Sequence, residues 1–201
     1  MAITFNPSAT LTGNNSFQTQ SQGYIQGAFL DDPVSRMWVL QGAIAAGTTQ
    51  PVWGGIPITE SIASLAASTL QTAANTLSIP TTVAAITGFT LFNRAHNMLI
   101  TPGGPVPQAS VGMTVAYARF GTNLRIPVAC TQTLATALEN GAINQQVTWD
   151  FTNNRLGTFA SGDTALPVKV LHVDPNSKVV TYDSATGTLS WAYGYAALIQ
   201  I

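Results

Sequence analysis

Few side chains in this chain could do chemistry, and their spacing limits what that chemistry would be. General acid–base work draws on histidine or on carboxylates with tuned pKa. There are two histidines, His96 and His172. His172 shares one face of an expected strand with Val168 and Val170, the position of a satisfied structural histidine. His96 lies in Asn93-Arg94-Ala95-His96-Asn97, a polar stretch between strands, and reads as surface or turn packing. Neither has a carboxylate spaced to form a dyad. The acidic residues are scattered singly except for Asp31-Asp32-Pro33, which reads as a turn before proline rather than a calcium site. The only lysines, Lys169 and Lys178, follow no glycine-rich turn, so no phosphate loop is present. No Gly-x-Ser-x-Gly elbow occurs. Cys130, the single cysteine, ends an apolar strand and reads as a small core residue; it excludes an internal disulfide and a thiolate zinc cluster. Asn14-Asn15-Ser16 fits a glycosylation sequon, which matters only in a secreted chain. Trp38, Trp53, Trp149 and Trp191 could stack on sugars or bases. With few basic neighbours, they read as core or subunit anchors. The expectation is no catalytic residue, no cofactor and no metal.

Composition narrows the role further. Of 201 residues only 15 carry formal charge, which is 7% against roughly 25% in an average soluble protein. The net charge is −1, so no basic field would steer nucleic acid or an acidic lipid surface. No run of about 18 apolar residues occurs, which argues against a helical membrane span. No cationic region precedes an apolar stretch at the N-terminus, so no secretory signal is read. Hydrophobic residues make up 46%, too many for intrinsic disorder. Thr, Ser, Asn and Gln total 64 residues, about four times the charged count. Interface cores are depleted in Lys, Glu and Asp, so this neutral polar surface reads as that of a subunit in an assembly.

The elements that must carry these residues are mostly strands. Val, Ile and Thr supply 54 residues, and β-branched side chains favour strands. Residues 168–173 and 179–182 read as strands about the turn Asp174-Pro175-Asn176-Ser177. A second turn, Asp183 to Gly187, leads into a period-2 run from Thr188 to Ile201, with Gly194 marking a bulge or bend. Met113 to Phe120 and Leu124 to Cys130 read as a hairpin about Gly121-Thr122-Asn123, with Pro127 putting its second strand at an edge. Ile143 to Phe151 alternates and closes at Asn153-Asn154. Two helices are expected: Thr59 to Leu77, Ala-rich and ended by Pro80, and Leu134 to Glu139, capped by Asn140-Gly141. Loop 101–110 reads as irregular. Residues 1–23 hold no charge and no apolar period, and read as an extended arm laid on a neighbour or left disordered.

Three segments resemble the structural cement, or head-decoration, proteins of tailed bacteriophages: Gly23-Tyr24-Ile25-Gln26-Gly27-Ala28-Phe29-Leu30-Asp31-Asp32-Pro33-Val34-Ser35-Arg36; Pro51-Val52-Trp53-Gly54-Gly55-Ile56-Pro57-Ile58-Thr59-Glu60; and Asn176 to Val180 with Thr186 to Trp191 ahead of Ala196 to Ile199. The resemblance spans about residue 20 to 201. It implies a β-rich protein that binds the outside of an expanded capsid, often as a trimer with arms reaching adjacent subunits. The implied partners are the major capsid protein and further copies of the chain, with neither nucleic acid nor membrane. The implied location is the virion exterior, after synthesis in the host cytoplasm. The expected fold is mainly β: an antiparallel β-sandwich or barrel-like domain (24–201) with a short helical element and an extended N-terminal arm (1–23). Phe5, Phe17, Tyr24, Phe29 and Trp53 are the expected contacts with capsid or sister subunits. Rival readings are another virion part, such as a tail or head fibre, and a carbohydrate-binding adhesin-like module.

Overall fold

The structure, a computed structural model, describes residues 23–28, 38–62, 75–91, 99–100, 106–142 and 144–201. Five strands close a small barrel: β1 (Leu40–Ile44), β2 (Pro57–Ile62), β3 (Asn75–Ser78), β4 (Gly88–Thr90) and, after two short strands, β7 (Thr114–Arg119). The short pair is β5 (Leu99–Ile100) and β6 (Pro107–Gln108). Around the barrel the order is β1-β3-β2-β4-β7, with β7 returning to β1. Every pairing is antiparallel except β1 with β3. Ile44, Ile58, Leu77, Val115 and Tyr117 fill the interior together with Trp53.

β7 shows how sequence builds two layers. Its alternation sends Val115 and Tyr117 into the barrel, while Ala116 and Ala118 join a second core on the outside. Small side chains on that outer face let the next layer approach closely. That layer contains β8 (Arg125–Ala129), α1 (Gln132–Glu139), the hairpin β9 (Val147–Asp150) with β10 (Arg155–Thr158), and the long pair β11 (Lys169–Asp183) and β12 (Thr188–Gln200). Sheet order here is β11-β12-β8. Phe89 from the barrel meets Trp149 edge-on at 5.5 Å, joining the layers. Burying side chains of this size contributes about 1.5–3 kcal/mol each, so the shared core holds barrel and sheet together. The fold is mainly β with one α-helix among the described residues, as expected. No helix among them is long and apolar enough to cross a membrane.

Several local expectations change. The helix expected over 59–77 is replaced at both ends by strand: Thr59 to Ile62 belongs to β2 and Asn75 to Leu77 to β3, which pair with each other. Barrel closure buries Leu77 completely, and that long-range gain outweighs the helix propensity of the alanines. Gly121-Thr122-Asn123 does form a turn, with φ of 87° at Gly121 and 58° at Asn123. The strands it joins do not pair: β7 belongs to the barrel and β8 to the sheet, at whose edge Pro127 lies. Asp174 to Ser177 is not a hairpin turn. β11 runs through it, with register shifts between Val170 and His172 and between Asp174 and Ser177. Within loop 101–110, Pro107 and Gln108 form β6. The shorter expected helix is present and begins two residues earlier. Thr131 Oγ caps it by accepting the Leu134 N–H at 3.2 Å.

Candidate interaction site at the docked N-terminal segment

Residues 23–28 form a strap pinned across the joint of the two layers. Ile25 pairs with Lys178 of β11 in parallel fashion. The Lys178 N–H donates to the Tyr24 carbonyl at 2.8 Å, and the Gln26 N–H returns to the Lys178 carbonyl at 3.1 Å. The Gly27 N–H donates to the Pro127 carbonyl of β8 at 2.6 Å. The strap therefore bonds both outer strands of a sheet in which β11 and β8 do not pair. Gln26 is fully buried and its Oε1 accepts the Val180 N–H at 2.9 Å, so a side chain continues the ladder where the backbone leaves it.

Glycine lets the strap come this close. A Cβ on Gly27 would sit 2.3 Å from the Gly54 carbonyl carbon, and Gly27 has φ of +73°. A Cβ on Gly23 would meet Asp174 Oδ1 at 2.5 Å and Ser177 Oγ at 2.6 Å. The β11 bulge receives that end. Ser177, fully buried, accepts the Tyr24 N–H on its Oγ at 2.9 Å, and Asp174 Oδ1 accepts the Asn176 N–H at 2.8 Å. The three sequence segments singled out above, around Gly23, Trp53 and Ser177, thus meet at one place.

The individual candidates fare differently. Tyr24 is half-buried on Ala129, Val179 and Ala196, and its hydroxyl shares a hydrogen bond with His172 Nδ1 at 3.0 Å. Burial and then the nearby Asp174 carboxylate raise its pKa, so it remains a neutral phenol. His172 is an exposed edge residue held by that bond; the bulge takes it off the core face that strict alternation predicted. Trp53 is 1% exposed, packs on Tyr182 at 5.7 Å and belongs to the barrel core. Phe5, Phe17 and Phe29 lie outside the described residues.

Sequence reasoning named Trp191 as a core or subunit anchor but did not single out Tyr193 beside it. Tyr193 is 63% exposed, and partly buried Trp191 lies 5.2 Å beneath the Lys178 ammonium. Burial, which penalises the charged form, lowers the Lys178 pKa. The signal was their place on the same face of the period-2 run, ahead of Gly194. Trp38, at 61% exposure, is a further exposed anchor.

A second polar cluster ties the barrel. Arg119 of β7 grips Glu60 of β2, with Nε donating to Oε2 at 2.5 Å and Nη2 to Oε1. Tyr117 donates its hydroxyl to Glu60 Oε1 at 2.6 Å and accepts from Asn75 Nδ2 of β3 at 2.9 Å. The Arg119 bond holds the Glu60 carboxyl below its usual range, against a smaller opposing effect of burial. Burial first, then the carboxylate, pushes the Tyr117 phenol up to about 12. Glu60 stays a carboxylate and Tyr117 a phenol, which suits a strut between β2, β3 and β7. Among the described residues no group of three or more His, Cys, Asp or Glu could hold a metal. Comparison with known proteins returned no matching family model, no matching curated protein and no matching solved structure.

Proposed function

We propose that this chain is a virion structural protein, a decoration or cement protein that binds the outer surface of a phage capsid and stabilises it as a homotrimer. The observation that supports this reading most is the convergence at the strap. The segments on which the resemblance rests build one joint, and the uncharged arm starts from it at Gly23. Trp191, Tyr193 and Trp38 add exposed aromatic area of the kind that anchors protein interfaces. Attachment by such a surface rests on apolar burial and neutral hydrogen bonds. Salt screens these little, although the Debye length falls from about 8 Å at physiological ionic strength to about 3 Å at 1 M.

The test is occupancy of stripped capsids titrated with the protein at low and at molar salt, with free oligosaccharides as competitors. Capsid binding that changes less than about tenfold, or 1.4 kcal/mol, is expected. Light scattering should give about 63 kDa, three times the 21.0 kDa chain. Absence of capsid binding refutes the proposal. Competition by oligosaccharides would favour the carbohydrate-binding reading, for which exposed Tyr193 and Trp38 are the candidate aromatics.

A further inference from the structure

We infer that the cleft between the end of α1 and the open edge of β11 binds an apolar α-amino acid. Its ammonium is held at Glu139 and its carboxylate at Lys169 and Gln145. This does not rest on the capsid reading. A cavity of about 420 Å³ lies there, walled by Leu138 and Glu139 of α1, by Asn144, and by Lys169 to Val173 of β11. An inner recess of about 100 Å³ shares Leu138, Asn144, Lys169 and Val170 with it and reaches Gln145. The size is that of a small-molecule site, about 300–1,000 Å³. β11 itself explains the opening. β12 occupies one side of the strand, and on the other side, among the described residues, the strap alone supplies a bridge, at Lys178. A register shift between Val170 and His172 leaves Leu171 without a partner in β12, and Leu171 is 42% exposed at the cleft. Such a bulge turns an edge away from regular pairing, so the place suits a compact ligand better than an added strand.

Charge decides the class of ligand. Leu138, Val170, Leu171 and Val173 offer an apolar wall, and one carboxylate and one ammonium stand beside it. Glu139 and Lys169 do not pair with each other; among the described residues the one ion pair is Glu60 with Arg119. Glu139 closes α1, at the negative end of the helix dipole, and no basic residue stands in that last turn. That end favours a cation. Lys169 brings positive charge from the facing element, and in the recess that it lines Gln145 holds a buried Nε2 donor with no partner. This end favours an anion that can accept hydrogen bonds. A simple anion would face Glu139, and a simple cation would face Lys169. A zwitterion meets both, and its apolar side chain covers the wall between them.

The probe is L-leucine, titrated into the isotope-labelled full chain without capsid and followed by amide chemical shifts. Saturable shifts should appear over 144–145 and 169–173 and not in β7. N-acetyl-leucine, which lacks the ammonium, and leucinamide, which lacks the carboxylate, should each bind at least about tenfold more weakly. Glu139→Gln should remove the preference for leucine over N-acetyl-leucine, and Lys169→Met the preference over leucinamide. Both residues are exposed, so both variants should fold. The absence of saturable shifts with leucine overturns the inference, as does equal affinity for the three ligands or the same discrimination in parent and variants. Shifts over 169–173 that follow protein concentration with no leucine added also overturn it, because a second copy would then cover the edge.

Discussion

Replacing Gly27 by alanine tests the joint directly, and a matched control separates the two costs involved. Gly27 and Gly112 have nearly the same backbone conformation, φ of +73° and +79°. A side chain at such φ costs about 1–2 kcal/mol at either position. Their surroundings differ. A Cβ at Gly112 has no atom within 4 Å, whereas at Gly27 it would lie 2.3 Å from one Gly54 backbone atom and 2.5 Å from another. Backbone cannot swing aside as the end of a side chain can, so the strap must lift. Lifting it strains or breaks the bonds from Gly27 to Pro127, from Gln26 to Lys178 and from Val180 to Gln26. Three bonds at a net 0.5–1.5 kcal/mol each give about 1.5–4.5 kcal/mol beyond the conformational cost. Gly27→Ala should therefore be less stable than Gly112→Ala by at least about 1.5 kcal/mol, or roughly 3–6 °C in Tm for a chain of this length. Urea unfolding of both variants beside the parent gives the difference without reference to absolute stability. If the two variants agree within about 0.5 kcal/mol, the strap does not hold the layers together.

Two further outcomes follow from the same structure. Glu60, held below its ordinary 4.5 by Arg119, contributes stability that is complete above that value and is lost as pH falls through the lower folded one. Thermal unfolding of the parent and Glu60→Gln should accordingly converge on acidification, and a gap that stays constant would refute the strut. Cys130 is 1% exposed and burial pushes its thiol up to about 12, so a thiol reagent should label it only on unfolding. Fast labelling of the native protein would mean that the second core opens locally.

What the sequence revealed and what it hid follow one physical division. The β11–β12 turn, where Asp183 accepts from the Ala185 N–H and the Thr186 hydroxyl, is a local device and was legible; the Thr131 cap of α1 is equally local but was not read, so the expected helix began two residues late. Asp174 makes the same kind of bond, to the Asn176 N–H. There it builds a bulge inside a strand. The difference lies in β12, which runs unbroken opposite and leaves β11 no room to reverse; no window around Asp174 carries that fact. Gly121-Thr122-Asn123 likewise has turn chemistry, but its two strands find partners elsewhere, β7 with β1 and β4 and β8 with β12. The strap was hidden for the same reason. Its bonds join residues about 100–150 positions apart, so Gln26 reads as one more polar residue near an arm. Trp53 was read among core or subunit anchors, and its place in the barrel core follows from barrel closure, which the residues around it do not show.

The strap also decides how an anchored arm would act on the rest of the molecule. Tension on residues 1–22 would enter the domain at Gly23 and load the strap's bonds. The load passes through Gln26 to Val180, which packs in the barrel core, and through Gly27 to Pro127, next to Ile126 and Val128 in the second core. Both cores resist at once, so on the proposed capsid role retention should depend on the strap. A folded Gly27→Ala chain should dissociate from capsids faster than Gly112→Ala, by at least about tenfold if 1.4 kcal/mol of the strap's contribution resists removal. Dissociation is followed by sedimentation of decorated capsids after dilution. Equal rates for the two variants would mean that attachment does not pass through the arm, and the exposed Trp38 and Tyr193 would then have to carry it.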